Sequence, residues 1–194
     1  PDTNAATDPT DSGDGTEYHG THVAGTIGAI GNVITGVSWG SKILPIRVLG
    51  AKGNGQVSAI SEGLLWAAGL GDTKPYPTKK AKILNLSLGE IAECGQTMQS
   101  AIDKVVEAGA IVVVVAGNAS LPAKNFMPAN CDKVITVGAT DSLGLRGYYS
   151  NYNVDKDDKT IKVLAPGGGN GFLDTTDGIL SLGAAPDRYQ YLSG

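Results

Sequence analysis

The sequence is sparing with histidine, cysteine, aromatic residues and charge. Its 194 residues include two His, two Cys, two Trp and two Phe, and aromatic residues make up 6% of the chain. Charged residues reach 18%, below the usual share of about 25%. There are 15 Lys plus Arg against 19 Asp plus Glu, a net charge of −4, and the basic residues are scattered. No basic patch or stripe forms, which argues against nucleic acid as a partner. No apolar run approaches the roughly 20 residues that a bilayer-spanning helix needs, so no membrane span is expected. Two cysteines permit one bridge, and parity is consistent with a disulfide in an oxidising compartment or with two buried thiols in a reducing one. The polar opening Pro1-Asp2-Thr3-Asn4 has neither an initiating Met nor a signal peptide and predicts a mature or excised segment.

Glycine and aliphatic residues are plentiful. Gly contributes 28 residues and hydrophobic types 41%, which predicts many tight turns around a filled interior instead of a disordered chain. The length suits one domain. Residues 1–18 are polar, aperiodic and loop-like. Beyond them, short runs of Ile, Val and Leu alternate with stretches of helical spacing. The runs Ile43–Leu49, Ile83–Leu88, Ile111–Ala116, Val134–Ala139 and Ile161–Ala165 are apolar on both faces, as buried parallel strands are. Val57–Leu70 and Thr97–Ala108 carry apolar residues at amphipathic spacing and predict helices, the second closed by Gly109. This is βαβ order. It predicts an α/β fold, a mostly parallel sheet covered by helices on both sides in three layers.

Both histidines stand in His19-Gly20-Thr21-His22-Val23-Ala24-Gly25. The plain reading is a helix start with packed imidazoles. A zinc helix needs His-Glu-x-x-His, with its two histidines four positions apart on one face, and here they are three positions apart. The small residues Gly20, Ala24, Gly25 and Gly28 let this helix approach backbone closely. His19 then sits at its N-terminal end, beyond the carboxyl end of a strand, where open α/β sheets place their sites. A helix N-terminus disfavours imidazolium and keeps the ring available as a base. A second segment, Val112 to Asn118, is a buried strand ending in Gly-Asn, which suits either an ordinary turn or an amide donor at a strand end. A third, Ile83 to Gly89, could pair with an extended peptide.

These segments, taken in order, resemble the subtilisin-like serine proteases, the subtilases. His19–Thr26 resembles the signature around the catalytic histidine, so the resemblance implies His19 as general base and His22 as a structural neighbour. Gly53-Asn54-Gly55-Gln56 and Asn85-Leu86-Ser87-Leu88-Gly89 resemble the two segments that sandwich the substrate. Ala116-Gly117-Asn118 resembles the lining of the primary specificity pocket, with Asn118 as oxyanion donor. Pro128-Ala129, Val134–Ala139, Tyr149-Ser150-Asn151-Tyr152, Val163–Gly167 and Tyr191-Leu192-Ser193-Gly194 also match. The family's Gly-Thr-Ser-Met-Ala nucleophile run is absent, and Asp11-Ser12-Gly13 follows no apolar strand and lies only eight residues before His19.

The resemblance therefore implies that residues 1–194 are part of a subtilisin-like peptidase domain, cut at both ends, from a serine endopeptidase. The fragment alone is expected to be inert and to self-associate. The partners implied are peptide or protein substrates, the location is extracellular, and the chemistry requires no cofactor. Structural calcium is a further expectation, with Asp8, Asp11 and Asp14 as candidate oxygen ligands. A bridge between Cys94 and Cys131 follows from the family's secretion. The pocket is expected to be shaped near Asn118 and Phe126–Pro128, with Ala119 at its base favouring uncharged side chains, and Glu90 either narrowing the groove or facing solvent. Two other functions fit the same residues: a peptide-binding relative without hydrolysis, and a metal-dependent hydrolase using His19, His22 and an acid such as Asp14 or Glu17.

Overall fold

The computed structural model describes residues 18–50, 52–169, 177–183 and 188–194. Asp8, Asp11, Asp14 and Glu17, the acidic candidates for calcium, triad or metal chemistry, lie outside the described residues. Helix α1 spans His19–Gly28, α2 Val57–Ala67 and α3 Gln96–Glu107. Strands β1 (Ile83–Leu86), β3 (Ile111–Val115), β5 (Val134–Thr140) and β6 (Ile161–Pro166) form one sheet in the order β1-β3-β5-β6, with every pair parallel. Two short ladders flank it: β2 (Glu90–Ile91) with β4 (Phe126–Met127), and β7 (Ile179–Leu182) with β8 (Tyr189–Leu192), both antiparallel.

Helices α2 and α3 end by the same chemistry. Gly109 adopts φ 91°, its N–H donates to Val106 O at 2.9 Å, and Ala110 N donates to Val105 O at 3.0 Å. Gly69, at φ 72°, repeats the pattern after α2. A left-handed glycine costs little and satisfies carbonyls that the last helical turn leaves open. Each helix then hands the chain to an extended segment or a strand.

The core lies between α2, α3 and one face of the sheet. Leu84, Leu86, Val112, Val114 and Val134 point into it with Ile60, Leu64, Met98, Ile102 and Val105. Burying such side chains contributes on the order of 1.5–3 kcal/mol each, the main favourable term for this layer. The opposite face is open. Ile83 is 64% exposed, Ile111 49%, Ile135 39% and Val163 49%. The runs are apolar on both faces, as parallel strands are, but the described residues place helices of the α2–α3 layer over one face only.

Ile43–Leu49 is a departure from expectation, because it forms no strand among the described residues. A β-branched run becomes a strand only when neighbouring backbone accepts its hydrogen bonds. Here Ile46, Val48 and Leu49 instead pack their side chains against the core cluster, under α2.

Candidate active site

Helix α1 begins at His19, preceded by Tyr18 in the left-handed region at φ 38°. Its small residues do what their size suggests. A Cβ on Gly25 would overlap Ser181 Oγ and come within 2.9 Å of Leu182 Cγ, so the helix backbone lies directly on β7. Ser181 Oγ donates to the carbonyl of His22 at 2.7 Å, and the His22 ring Nε2 lies 2.9 Å from the carbonyl oxygen of Ile179. His22 is buried, and burial lowers its pKa from the ordinary 6.5, against the opposing pull of backbone hydrogen bonds to Ile179 and Gln190. It is a pin between α1 and the β7–β8 hairpin.

His19 faces another way. Its ring is exposed, and Nε2 lies 2.9 Å from the carbonyl oxygen of Ser87, immediately beyond β1. The two imidazoles thus engage separate carbonyls on separate elements and do not converge on one metal position. Among the described residues no group of three or more His, Cys, Asp or Glu could hold a metal ion.

β1 is an edge of the sheet among the described residues. The segment after it, Ser87-Leu88-Gly89, leads into β2, whose Glu90 is exposed and faces solvent. Across from it, the sheet hydrogen bonding continues past β3 through Ala116 N to Val137 O at 2.8 Å, and the chain then turns at Gly117, φ 103°. Asn118 follows, exposed. Its Nδ2 would lie 3.1 Å from a Cβ on Gly194, so the closing segment returns to this asparagine.

The residue that holds this turn is Asn151, 1% exposed. Its Oδ1 accepts from Ala119 N at 3.1 Å and Leu121 N at 3.0 Å, its Nδ2 donates to Ala116 O at 2.8 Å, and its own N–H donates to Gly117 O at 2.8 Å. The motif containing Asn151 was legible in the sequence, but its role as a brace was not, since it acts from more than thirty residues away. Tyr149 does a similar service nearby. Its hydroxyl is shared between the carbonyls of Gly167 and Gly168 at 2.7 and 2.8 Å, and burial pushes its pKa up to about 12.

Against both substrate-like segments lies Phe126, which the family resemblance places near the pocket. A Cβ on Gly89 would overlap Phe126 Cε1, and one on Gly117 would lie 3.0 Å from both Phe126 Cδ1 and Cδ2. The ring therefore lies directly against both glycines. Ala119, expected at the base of the pocket, is exposed and contributes its backbone to Asn151 instead.

Gly53-Asn54-Gly55 forms a tight turn, with Gly50 N donating to Asn54 O at 2.8 Å and Gly53 at φ 72°. A Cβ on Gly55 would meet Val48 and Leu49, so the turn packs on the Ile43–Leu49 segment. Cys94 and Cys131 form a disulfide with Cα atoms 5.2 Å apart. It ties the loop after β2 to the loop after β4, the two strands that carry the Phe126 ladder.

A parallel α/β sheet with a histidine at a helix start and an asparagine past a neighbouring strand end defines a class of fold known for hydrolytic enzymes. The sequence matches the subtilase family over residues 2–194, and the chain belongs to that family. It is 43% identical over 155 residues to an extracellular protease of Xanthomonas campestris, covering 77% of this chain and 26% of that protein. It is 40% identical over 164 residues to an extracellular basic protease of Dichelobacter nodosus, covering 82% and 26% respectively. A solved protease from Pseudoalteromonas arctica superposes with a TM-score of 0.83 at 37% identity, covering 91% of this chain and 53% of that one. The chain thus spans about a quarter of the length of these two curated relatives.

Proposed function

We propose that residues 1–194 are part of the peptidase domain of a secreted serine endopeptidase. His19 is its general base and Asn118 its oxyanion donor. Ser87-Leu88-Gly89 and Ala116-Gly117 form two walls of the peptide groove, with Gly53-Asn54-Gly55 contributing on the further side. The observation that carries the reading is the position of the His19 ring against Ser87 O, at the start of α1 and beside an edge strand.

The chemistry follows from these groups. A serine hydroxyl attacks the scissile carbonyl, His19 takes its proton, and the Asn118 carboxamide stabilises the negative oxygen of the tetrahedral intermediate. His19 then delivers the proton to the leaving amine, and water hydrolyses the acyl-enzyme by the same steps in reverse order. To accept a proton at Nε2, the ring must carry its own proton on Nδ1, a tautomer that a carboxylate at Nδ1 holds in place. Among the described residues no nucleophile or orienting carboxylate is assigned to these two roles. No cofactor takes part.

The test uses the full-length protein, a generic peptide substrate and a serine-directed covalent inhibitor. Inhibitor-sensitive hydrolysis that disappears in His19→Ala is the expected result. Peptide binding without hydrolysis would instead assign the chain to a non-catalytic relative, and loss of hydrolysis on chelation with inhibitor resistance would assign it to metal chemistry.

A further inference from the structure

The turn Gly53-Asn54-Gly55 sets an exposed carboxamide beside a backbone amide that carries no shielding side chain. The carboxamide carbon of an asparagine is open to attack by the amide nitrogen of the next residue, and a side chain on that residue obstructs the approach. Among the described residues Asn54 is the one asparagine followed by glycine. Asn54 and Gly55 are both exposed, so water and hydroxide reach the pair. The other described asparagines are protected. Asn85, Asn130, Asn151 and Asn153 each donate through Nδ2 to a protein oxygen at 2.8 to 3.2 Å. The amide after Asn118 is engaged, since Ala119 N donates to Asn151 Oδ1 at 3.1 Å, and the amide after Asn125 is engaged by Ala123 O. Asn32 is exposed, but Val33 puts a branched side chain on the attacking residue.

The fold builds this pair in. A Cβ on Gly55 would overlap the carbonyl oxygen of Val48 and come within 2.9 Å of Leu49 Cδ2, so packing against the Ile43–Leu49 segment demands glycine after Asn54. On the other side Gly53, at φ 72°, takes the left-handed conformation that glycine adopts at little cost. Gly53 N donates to Gly50 O at 2.9 Å, and Gly50 N donates to Asn54 O at 2.8 Å. The second of these bonds polarises the peptide unit that ends in the Gly55 nitrogen, which eases the loss of its proton.

We propose that Asn54 is a modification site, at which the chain deamidates itself and turns a neutral part of the groove wall anionic. Hydroxide removes the proton of the Gly55 amide, and the nitrogen attacks Cγ of Asn54. A new N–Cγ bond forms, the Cγ–Nδ2 bond breaks, and Nδ2 leaves as ammonia after taking a proton from water. Water then opens the five-membered imide: addition at Cγ leaves aspartate, and addition at the Asn54 backbone carbonyl leaves isoaspartate. The net change consumes water and releases ammonia, with no oxidation or reduction. The effect on the groove rests on the proposed peptidase reading, which sets Gly53-Asn54-Gly55 along the substrate, whereas the modification itself does not. A carboxylate there attracts a basic substrate side chain and repels an acidic one.

The full-length protein, treated with the serine-directed inhibitor so that it cannot digest itself, is aged in neutral and in mildly alkaline buffer and mapped by mass after digestion at acidic pH. The peptide carrying Asn54 is expected to gain the mass of an amide-to-acid exchange, faster at the higher pH, and to take label from a methyltransferase specific for isoaspartate. The peptides carrying Asn32 and Asn118 are expected to keep their mass. An Asn54 peptide that keeps its mass overturns the proposal, as does conversion at Asn32 or Asn118 at an equal rate. Asn54→Asp, which is the aspartate product made directly, is then compared with unaged wild type on peptides with lysine or glutamate at each position before the cleaved bond in turn. The lysine-to-glutamate ratio of kcat/KM is expected to rise about twofold to fivefold at one position or more. An unchanged ratio at every position overturns the effect on the groove. A wild-type protein with no inhibitor-sensitive hydrolysis overturns the peptidase reading, and the mass map still decides the modification.

Discussion

The imidazole Nε2 of His19 lies 2.9 Å from the carbonyl oxygen of Ser87, a residue 68 positions further along the chain. A carbonyl can only accept, so the proton of this contact sits on Nε2. Under the proposed role of His19 as general base, this is the tautomer opposite to the one required, and the proposal carries with it an exchange of the proton site in the full-length protein. We expect nitrogen chemical shifts of the 194-residue chain to report His19 as the Nε2–H tautomer. In the full-length enzyme the Nδ1–H form is expected. His19→Ala should lower kcat by about 10⁴-fold or more, in line with the triad losses measured on subtilisin, a member of the same family. The same tautomer in both proteins would rule out the exchange.

His22 should act on stability instead of turnover. Its pKa in the folded protein is lowered by burial, so the unfolded chain binds the proton more readily. The stabilisation is fully present above the unfolded value of 6.5 and is lost as pH falls through that value towards the lower folded one. Thermal unfolding at about pH 8 and about pH 5.5 is expected to show a falling Tm, and His22→Asn to flatten that fall while lowering Tm throughout. A wild-type Tm that does not change across this window would contradict the assignment.

Asn151 should couple stability to catalysis. Replacing it by Ala removes the partners of Ala119 N, Leu121 N and Ala116 O at once. The cost is about 2–3 kcal/mol, discounted because two of these amides can reach water. In the full-length enzyme kcat should fall by about 10-fold to 10²-fold, since Asn118 loses its fixed approach, and the fall should not exceed that of Asn118→Ala. A change in Tm with unaltered kcat would leave Asn151 as packing alone.

The disulfide between Cys94 and Cys131 closes a separation of 37 residues. On the chain-entropy account its removal costs about 3–4 kcal/mol. A Cys94→Ser, Cys131→Ser double variant is expected to unfold at correspondingly lower denaturant. An unchanged midpoint would mean that native strain offsets the entropic gain.

The open sheet face gives a prediction for the 194-residue chain on its own. Ile83 and Ile111 are register partners, and with Ile135 and Val163 they form an exposed apolar strip on neighbouring strands. A soluble monomer rarely leaves such a strip uncovered. The isolated chain is expected to run above its monomer mass and to bind an apolar dye, and Ile111→Lys with Ile135→Lys to reduce both. A monodisperse monomer without dye binding would show that something else covers the strip.

Much of this protein is decided locally. The runs Ile83–Leu86, Ile111–Val115, Val134–Thr140 and Ile161–Pro166 become strands at nearly the places their composition marks, because β-branched residues and bounding glycines act over a few positions. Gly109 ends α3 for the same local reason. The motifs around His19 and Asn118 are contiguous, so they are legible before any folding is considered. Three other features are set only by tertiary structure. Ile43–Leu49 has the composition of a strand and does not form one, since a strand needs a partner backbone that composition cannot supply. Asn151 reads as one letter of a motif, and its meaning comes from a turn 30 to 35 residues earlier that it braces. Phe126 is marked in the sequence only by the family resemblance, which puts it near the pocket. Its contact with Gly89 and Gly117, 37 and 9 positions away, arises only because the packed chain brings both glycines against its ring. Periodicity records which residues avoid water, whereas the shape of a site depends on which distant backbones converge, and only the packed chain decides that.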